Sequence, residues 1–200
     1  MNINLPIELL IALAAILPYI PVWVTGAIIG LDGASIVYSK KTLFDNKKRT
    51  GSVDRESPSW AQAIIAAIAN DRLILTWSYR VCVALFGDNR QGWMAVNLLI
   101  HGFNAVLFYW FVGLFASESM AILAGIGWGV NRLNTTAVIT PSGRSSTLCS
   151  TFLMGMLVLA FSGHGIWATL SGACAMRTKQ EGIVAPALLA GVAFVLWVRL

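Results

Sequence analysis

The chain contains little of what metalloproteins and disulfide-stabilised proteins use. Its 200 residues include two histidines and three cysteines, and the cysteines show neither a metal-ligand spacing nor a disulfide framework. We therefore expect no metal site, and we expect Cys82, Cys149 and Cys174 to be small buried apolar side chains. Charge is also scarce, because only 12% of the residues are Asp, Glu, Lys or Arg. This composition excludes an ordinary soluble domain of this size.

Apolar residues make up 57% of the chain and are gathered in long segments. A bilayer core requires about 20 predominantly apolar residues for each helix that crosses it. The sequence therefore predicts an all-α, polytopic transmembrane helical bundle of about six spans, in a single transmembrane domain of residues 1–200. The N-terminal segment is interpreted as a true span for two reasons. It lacks the basic residues with which a signal peptide begins, and its apolar run is longer than the apolar region of a signal peptide. The expected spans are about residues 7–31, 93–116, 120–139, 146–161, 166–176 and 183–198, the fourth and fifth forming a hairpin across residues 162–165.

The first loop, residues 32–90, is the longest polar segment, and its character changes midway. Basic residues are concentrated between Lys40 and Arg49, in a stretch that should lie outside the hydrocarbon. The second half is apolar, but as a single span it would place Asp71 and Arg72 near the centre of the membrane, which is energetically expensive. We therefore expect two amphipathic helices along the membrane interface, the alternative being a connector without a chemical role. The aromatic residues expected at headgroup depth are Trp60, Trp77 and Tyr79.

Polar residues also interrupt the second expected span. Asn97, His101 and Asn104 are separated by four and three residues, which places all three on one face of a helix. Polar side chains within a membrane face other helices or a cavity rather than lipid. Two interpretations remain open, namely hydrogen bonds that hold helices together and the wall of a polar cavity.

Three segments of the chain carry patterns that belong together. They read RLILTWSYRVCVALFGDNRQGWMAVNLLIHGFNAVLFYW, VNRLNTTAVITPSGRSS and RTKQEGIVAPALL. In order and spacing they resemble the C-type membrane glycosyltransferases, especially the O-mannosyltransferase-like branch associated with tetratricopeptide repeats. In that family an arginine opens an interfacial helix, an Asn-Leu-Leu-x-His-x-x-Asn helix follows, and a later loop ends in Ser-Gly-Arg. A Lys-Glu-x-x-Ile-Val-x-Pro helix start comes after these.

The resemblance implies the family's membrane fold and a site for a lipid-linked phosphate. Basic side chains suit such a site, because arginine and lysine donate charge-assisted hydrogen bonds to phosphate oxygens. The positions that the resemblance assigns to a lipid-phosphate site or polar cavity are Arg72, Asn97, His101, Asn104, Arg144 and Lys179.

The acidic positions of the family are altered in this chain. Where the family has an acidic pair after its first span, this chain has only Asp32, and two further acids are replaced by Thr136 and Gln180. Glycosyl transfer requires a group that accepts a proton, which Thr and Gln cannot do at neutral pH. The sequence therefore favours a non-catalytic, glycosyltransferase-like membrane protein that acts as a structural or accessory subunit of a larger membrane complex. The alternative is a polyprenyl-phosphate-sugar-dependent glycosyltransferase acting at the membrane surface, with Asp32 as its catalytic residue.

Most basic residues belong to the first, third and fifth loops. The positive-inside rule would place these loops in the cytoplasm, whereas the resemblance places them on the opposite, active face, and we follow the resemblance. We expect the protein to lie in a bacterial inner membrane, in contact with membrane lipids and other integral membrane proteins, and we expect no nucleic-acid partner. The sequence does not specify a cofactor. A bound lipid is compatible with it, and no motif points to a pigment or a quinone.

Overall fold

The computed structural model of the protein describes residues 6–25, 72–87 and 89–198. Over these residues the chain folds into helices joined by turns, without a β-strand, which confirms the all-α prediction for this part of the chain. Asp32, Trp60 and most of the first loop lie outside the described residues. The α-helices are α1 Ile7–Ile16, α2 Ile20–Thr25, α3 Leu73–Phe86, α4 Arg90–Gly113, α5 Glu118–Gly129, α6 Thr135–Ile139, α7 Arg144–Phe161, α8 Gly165–Met176 and α9 Ala185–Val198.

Four helical segments in the described part of the chain are long and apolar enough to cross a membrane. Each overlaps one of the spans expected from the sequence, so the prediction of a membrane protein with transmembrane helices is confirmed. The four segments are Ile7–Val24, Arg90–Gly113, Pro141–Phe161 and Gln180–Val198.

The third and fifth expected spans are shorter than a membrane crossing requires. The third is interrupted, because α5 ends at Gly129 and α6 contains only five residues. A new turn begins at Asn131, whose side-chain oxygen accepts a hydrogen bond from the backbone N–H of Leu133. The fifth, α8, has 12 residues, which is about 18 Å of helix against a hydrocarbon core of about 30 Å. The described residues therefore contain four candidate spans, and the predicted number of about six is not confirmed.

Helices α1, α4 and α5 pack closely through small residues. Gly102 of α4 lies against Ala12 and Ile16 of α1, and Gly129 of α5 lies against Ala15. Such positions let two backbones approach each other, and the resulting van der Waals contact is a main source of helix association in lipid. The buried core between the three helices consists of Ile11, Ala15, Ala105 and Val106.

Helices α7, α8 and α9 form the second part of the bundle. The chain reverses between α7 and α8 at Gly163, whose φ of +81° is readily adopted only by glycine. The predicted hairpin across residues 162–165 is therefore present. Phe161, at the end of α7, packs edge-to-face on Phe115 and so joins this part to the end of α4. The buried core here consists of Met156, Ala160, Ala168, Ala185 and Val192.

The helix directions gather the described basic residues at one end of the bundle, which we name the basic end. The indole of Trp23, in α2, donates to the carbonyl of Gln91, so the end of the first span lies beside the start of α4. The start of α7 and the residues after α8 meet at the same end. The basic residues that the structure describes are Arg72, Arg80, Arg90, Arg132, Arg144, Arg177 and Lys179. Glu8 and Glu118 lie at the opposite end, where both interact electrostatically with Tyr109.

Candidate functional site

Arg144, the first residue of α7, is a fully buried cation with 0% of its surface exposed. Its Nε donates to Oδ1 of Asn97 at 2.8 Å, and its Nη2 donates to the carbonyl oxygen of Trp93 at 2.9 Å. Its Nη1 lies 2.8 Å from Sγ of Cys82. Its Cζ lies 5.4 Å from the ring centroid of Tyr79 and 5.2 Å from that of Trp93. We name Arg144 and these four residues the arginine cage.

The contacts of the arginine cage offset an unfavourable position for a positive charge. A cation at a helix N-terminus opposes the helix dipole, and the removal of an ion from water costs several kcal/mol. Hydrogen bonds from a charged donor contribute about 1.5–3 kcal/mol each, and a desolvated cation–π contact contributes about 2 kcal/mol. The protein thus replaces water around the guanidinium of Arg144 with its own acceptors and aromatic rings.

The arginine cage joins α3 to the two central helices. Tyr79 and Cys82 come from α3, Trp93 and Asn97 from α4, and Arg144 from α7. The Tyr79 hydroxyl also donates to the carbonyl of Pro141 at 3.1 Å, just before α7 begins. Tyr79, which the sequence predicted at headgroup depth, therefore makes its polar contact with the protein. Trp77, on the other side of α3, is exposed.

A second set of polar contacts runs along α4. Asn97, His101 and Asn104 are buried on one face of this helix, as their spacing predicted, and we name them the polar ladder. Each donates to a backbone carbonyl, at the end of α5, in the segment between α6 and α7, or in the first turn of α7. Because a carbonyl can only accept, the contacting proton of His101 lies on Nε2. The three bonds run from Asn97 Nδ2 to Thr140 at 2.7 Å, from His101 Nε2 to Gly129 at 2.9 Å and from Asn104 Nδ2 to Thr147 at 2.9 Å.

Two bonds of the polar ladder reach backbone carbonyls where the chain departs from regular helix. The carbonyls in the last turn of a helix have no intrahelical partner, and Gly129 is the last residue of α5. Thr140 follows the last residue of α6, and its carbonyl receives the amide of Asn97. These bonds support the first interpretation of the polar stripe, in which it holds helices together.

Lys179 and Arg72 belong to a separate group at the basic end. The Nζ of Lys179 forms an ion pair with Oε1 of Glu181 at 2.7 Å and donates to Oγ of Ser146 at 3.0 Å. Arg72 interacts electrostatically with the same Glu181. Four of the six predicted site residues therefore lie in the arginine cage and the polar ladder. The other two, Arg72 and Lys179, both interact with Glu181 beside the first turn of α7.

The sequence interpretation missed the contribution of Cys82, Tyr79 and Glu181 to these contacts. The spacing of Leu75, Tyr79, Cys82 and Phe86 places them on one helical face, and this signal would have identified the inner side of α3. Glu181 offered a weaker signal, namely a carboxylate two residues after Lys179.

Metal chemistry has no candidate site in residues 6–25, 72–87 and 89–198, where no three His, Cys, Asp or Glu side chains are grouped to hold an ion. The three cysteines are free thiols, and Cys82 and Cys149 are buried. Cys82 is more than an apolar filler, because its sulfur contacts the Arg144 guanidinium.

The fold and these contacts define an all-helical integral membrane protein whose buried polar side chains bond to its own backbone and side chains. Comparison of the chain with protein-family models, curated proteins and solved structures gives no match. The arginine cage, the polar ladder and the basic end are therefore the features from which a function is inferred.

The two asparagines of the polar ladder are expected to differ in their effect on stability. Asn97→Ala leaves the buried Nε of Arg144 without its acceptor, which should lower the free energy of unfolding by about 2 kcal/mol. In Asn104→Ala the hydroxyl of Thr151 keeps its bond to the carbonyl of Thr147. The loss of stability should therefore be about 0.6 kcal/mol, the average contribution of a hydrogen bond between helices in a membrane protein. Unfolding in detergent measures both losses, and Thr169→Ala, at an exposed position of α8, is the control. An equal or larger loss in Asn104→Ala would contradict this account.

Proposed function

We propose that the protein is a non-catalytic, glycosyltransferase-like integral membrane protein that acts as a structural or accessory subunit of a larger membrane complex. The arginine cage is the observation that carries this proposal. Arg144, which the resemblance assigns to a lipid phosphate, is buried, and each of its three nitrogens contacts an atom of the protein. A phosphate would have to displace Asn97 or the Trp93 carbonyl to reach it. The polar ladder is likewise occupied by backbone carbonyls.

The outer surface of the bundle supports a place among other membrane components. Helix α8 is shorter than the hydrocarbon thickness, so neighbouring protein or lipid must cover the remaining depth beside it. Large apolar side chains on α8 and α9 are exposed to those neighbours. The most exposed are Ile166, Trp167, Phe194, Trp197 and Val198.

In the proposed arrangement α3 lies along the membrane interface. Its inner side is fixed by the arginine cage, and its outer side carries exposed apolar residues together with Arg80. A helix of this kind buries apolar side chains at the acyl boundary while its cations reach the headgroups.

A second candidate function is glycosyl transfer from a polyprenyl-phosphate sugar in a bacterial inner membrane. It is favoured by Lys179, whose ammonium contacts the Ser146 hydroxyl in the first turn of α7. Arg72 is close enough to act on the neighbouring Glu181. A helix N-terminus with adjacent cations suits a phosphate group. The catalytic residue would be Asp32, which lies outside the described residues.

The two functions predict different results when the protein is extracted from its membrane and purified. The subunit function predicts that the protein, extracted in mild detergent, migrates within a large assembly whose stability falls when the protein is deleted. The purified protein should transfer no sugar from a polyprenyl-phosphate donor, and Asp32→Asn should leave the assembly intact.

Asp32-dependent transfer by the purified protein would contradict the subunit function, because the carboxylate would then act as the base of the reaction. A protein that migrates alone and transfers no sugar would contradict both functions.

A further inference from the structure

The basic end carries exposed arginines on several elements. Arg80 lies on α3, Arg90 begins α4, and Arg132 follows the end of α5. All three are exposed. Positive charge of this density at one end of a membrane protein favours contact with negative charge.

Helix α3, at this end of the bundle, presents an apolar stripe beside Arg80. Trp77, Val81 and Leu85 are spaced four residues apart on the side facing away from the arginine cage, and they are 56%, 51% and 69% exposed. The guanidinium of Arg80 lies 5.7 Å from the centre of the Trp77 ring. Apolar side chains, an aromatic ring and a cation thus share the outer face of one helix.

We propose that the outer face of α3, together with Arg80, Arg90 and Arg132, forms a binding surface for anionic phospholipids. The stripe contacts the acyl chains near the glycerol backbone, and the arginines contact the phosphate and the negative headgroup. This surface stands apart from the proposed function, because a subunit and an enzyme would both present it to the bilayer.

The combination of groups selects this ligand over its alternatives. A free phosphate would satisfy the arginines but would leave Trp77, Val81 and Leu85 in water. A zwitterionic lipid would cover the stripe, but the positive group of its headgroup offsets the attraction between its phosphate and the arginines. An amphiphile with net negative charge satisfies both the arginines and the stripe.

The experiment uses the full-length protein in mixed micelles with equal amounts of phosphatidylglycerol and phosphatidylcholine. Native mass spectrometry measures the ratio of the two bound lipids for the wild-type protein and for the triple variant Arg80→Gln, Arg90→Gln, Arg132→Gln. Each arginine near an anionic surface should contribute about a fivefold preference, so the triple variant should lose most of the selectivity for phosphatidylglycerol. The matching triple lysine variant keeps the positive charge and should retain the selectivity for phosphatidylglycerol. Glu118→Gln, at the opposite end of the bundle, should leave that selectivity unchanged.

Photoactivatable phosphatidylglycerol should label the peptide that contains Val81 and Leu85 more strongly than photoactivatable phosphatidylcholine does. This labelling keeps the proposal testable on the wild-type protein if the triple variant does not fold. Equal binding of the two lipids, undiminished selectivity in a folded triple glutamine variant, or competition by inorganic phosphate would overturn the proposal.

Discussion

Arg144→Lys is expected to destabilise the protein more than Arg144→Met, although lysine preserves the charge. The lysine ammonium is a compact point charge that cannot match the planar fork with which Arg144 reaches Asn97 and the Trp93 carbonyl. A buried cation would then remain without its partners, which costs about 3–5 kcal/mol. Methionine removes the cation and leaves neutral acceptors unpaired, so we expect a smaller loss of about 2–3 kcal/mol. Unfolding in detergent measures both values.

The comparison separates a structural arginine from a phosphate-binding one. If Arg144 served chiefly to bind phosphate, the lysine variant would be close to wild type in stability and in lipid-phosphate binding. Arg132→Lys is the matched control, because Arg132 is exposed at the same end and surface substitutions usually change stability by less than about 0.5 kcal/mol. A lysine variant as stable as the wild type would refute the role that we assign to the arginine cage.

The sequence predicted which face of α4 is polar but not what that face touches. The spacing of Asn97, His101 and Asn104 determines their common side through helix geometry alone. Their acceptors depend on where the third expected span breaks. Residues 120–139 are apolar on both sides of the Asn131–Asn134 turn, so their composition alone suggested an unbroken helix. The structure shows the break, on either side of which the carbonyls of Gly129 and Thr140 accept hydrogen bonds from α4.

The sequence also identified Arg144 as important but assigned it to a ligand. Its partners Tyr79 and Cys82 precede it by more than 60 residues, and the packing of α3 and α4 against the start of α7 buries the guanidinium. Burial decides the role of a cation, because an exposed arginine is available to a phosphate and a buried one requires partners within the protein. Local sequence carries no direct information on that burial. The assignment to the glycosyltransferase family stays a proposal for the same reason, since it rests on local patterns.

The last prediction concerns two glycines of α5 that differ in what surrounds them. A Cβ at position 129 would collide with the Cβ of Ala15 in α1, whereas a Cβ at position 127 would meet no atom within 4 Å. Gly129→Ala must therefore separate α1 from α5 or shift the end of α5, and overpacking of this kind costs about 1–3 kcal/mol. A shift would also move the Gly129 carbonyl away from Nε2 of His101, so that one bond of the polar ladder weakens with it.

Gly127→Ala is the matched control, because it makes the same chemical change in the same helix. Alanine has the higher helix propensity by about 1 kcal/mol, so the Gly127 variant should be as stable as the wild type or slightly more stable. Thermal unfolding in detergent compares the two variants directly, and a Gly129→Ala, His101→Leu double variant tests the coupling. If the close contact acts through His101, the double variant should lose less stability than the sum of the two single variants. Equal midpoints for Gly129→Ala and Gly127→Ala would show that α1 and α5 are not in close contact at Ala15.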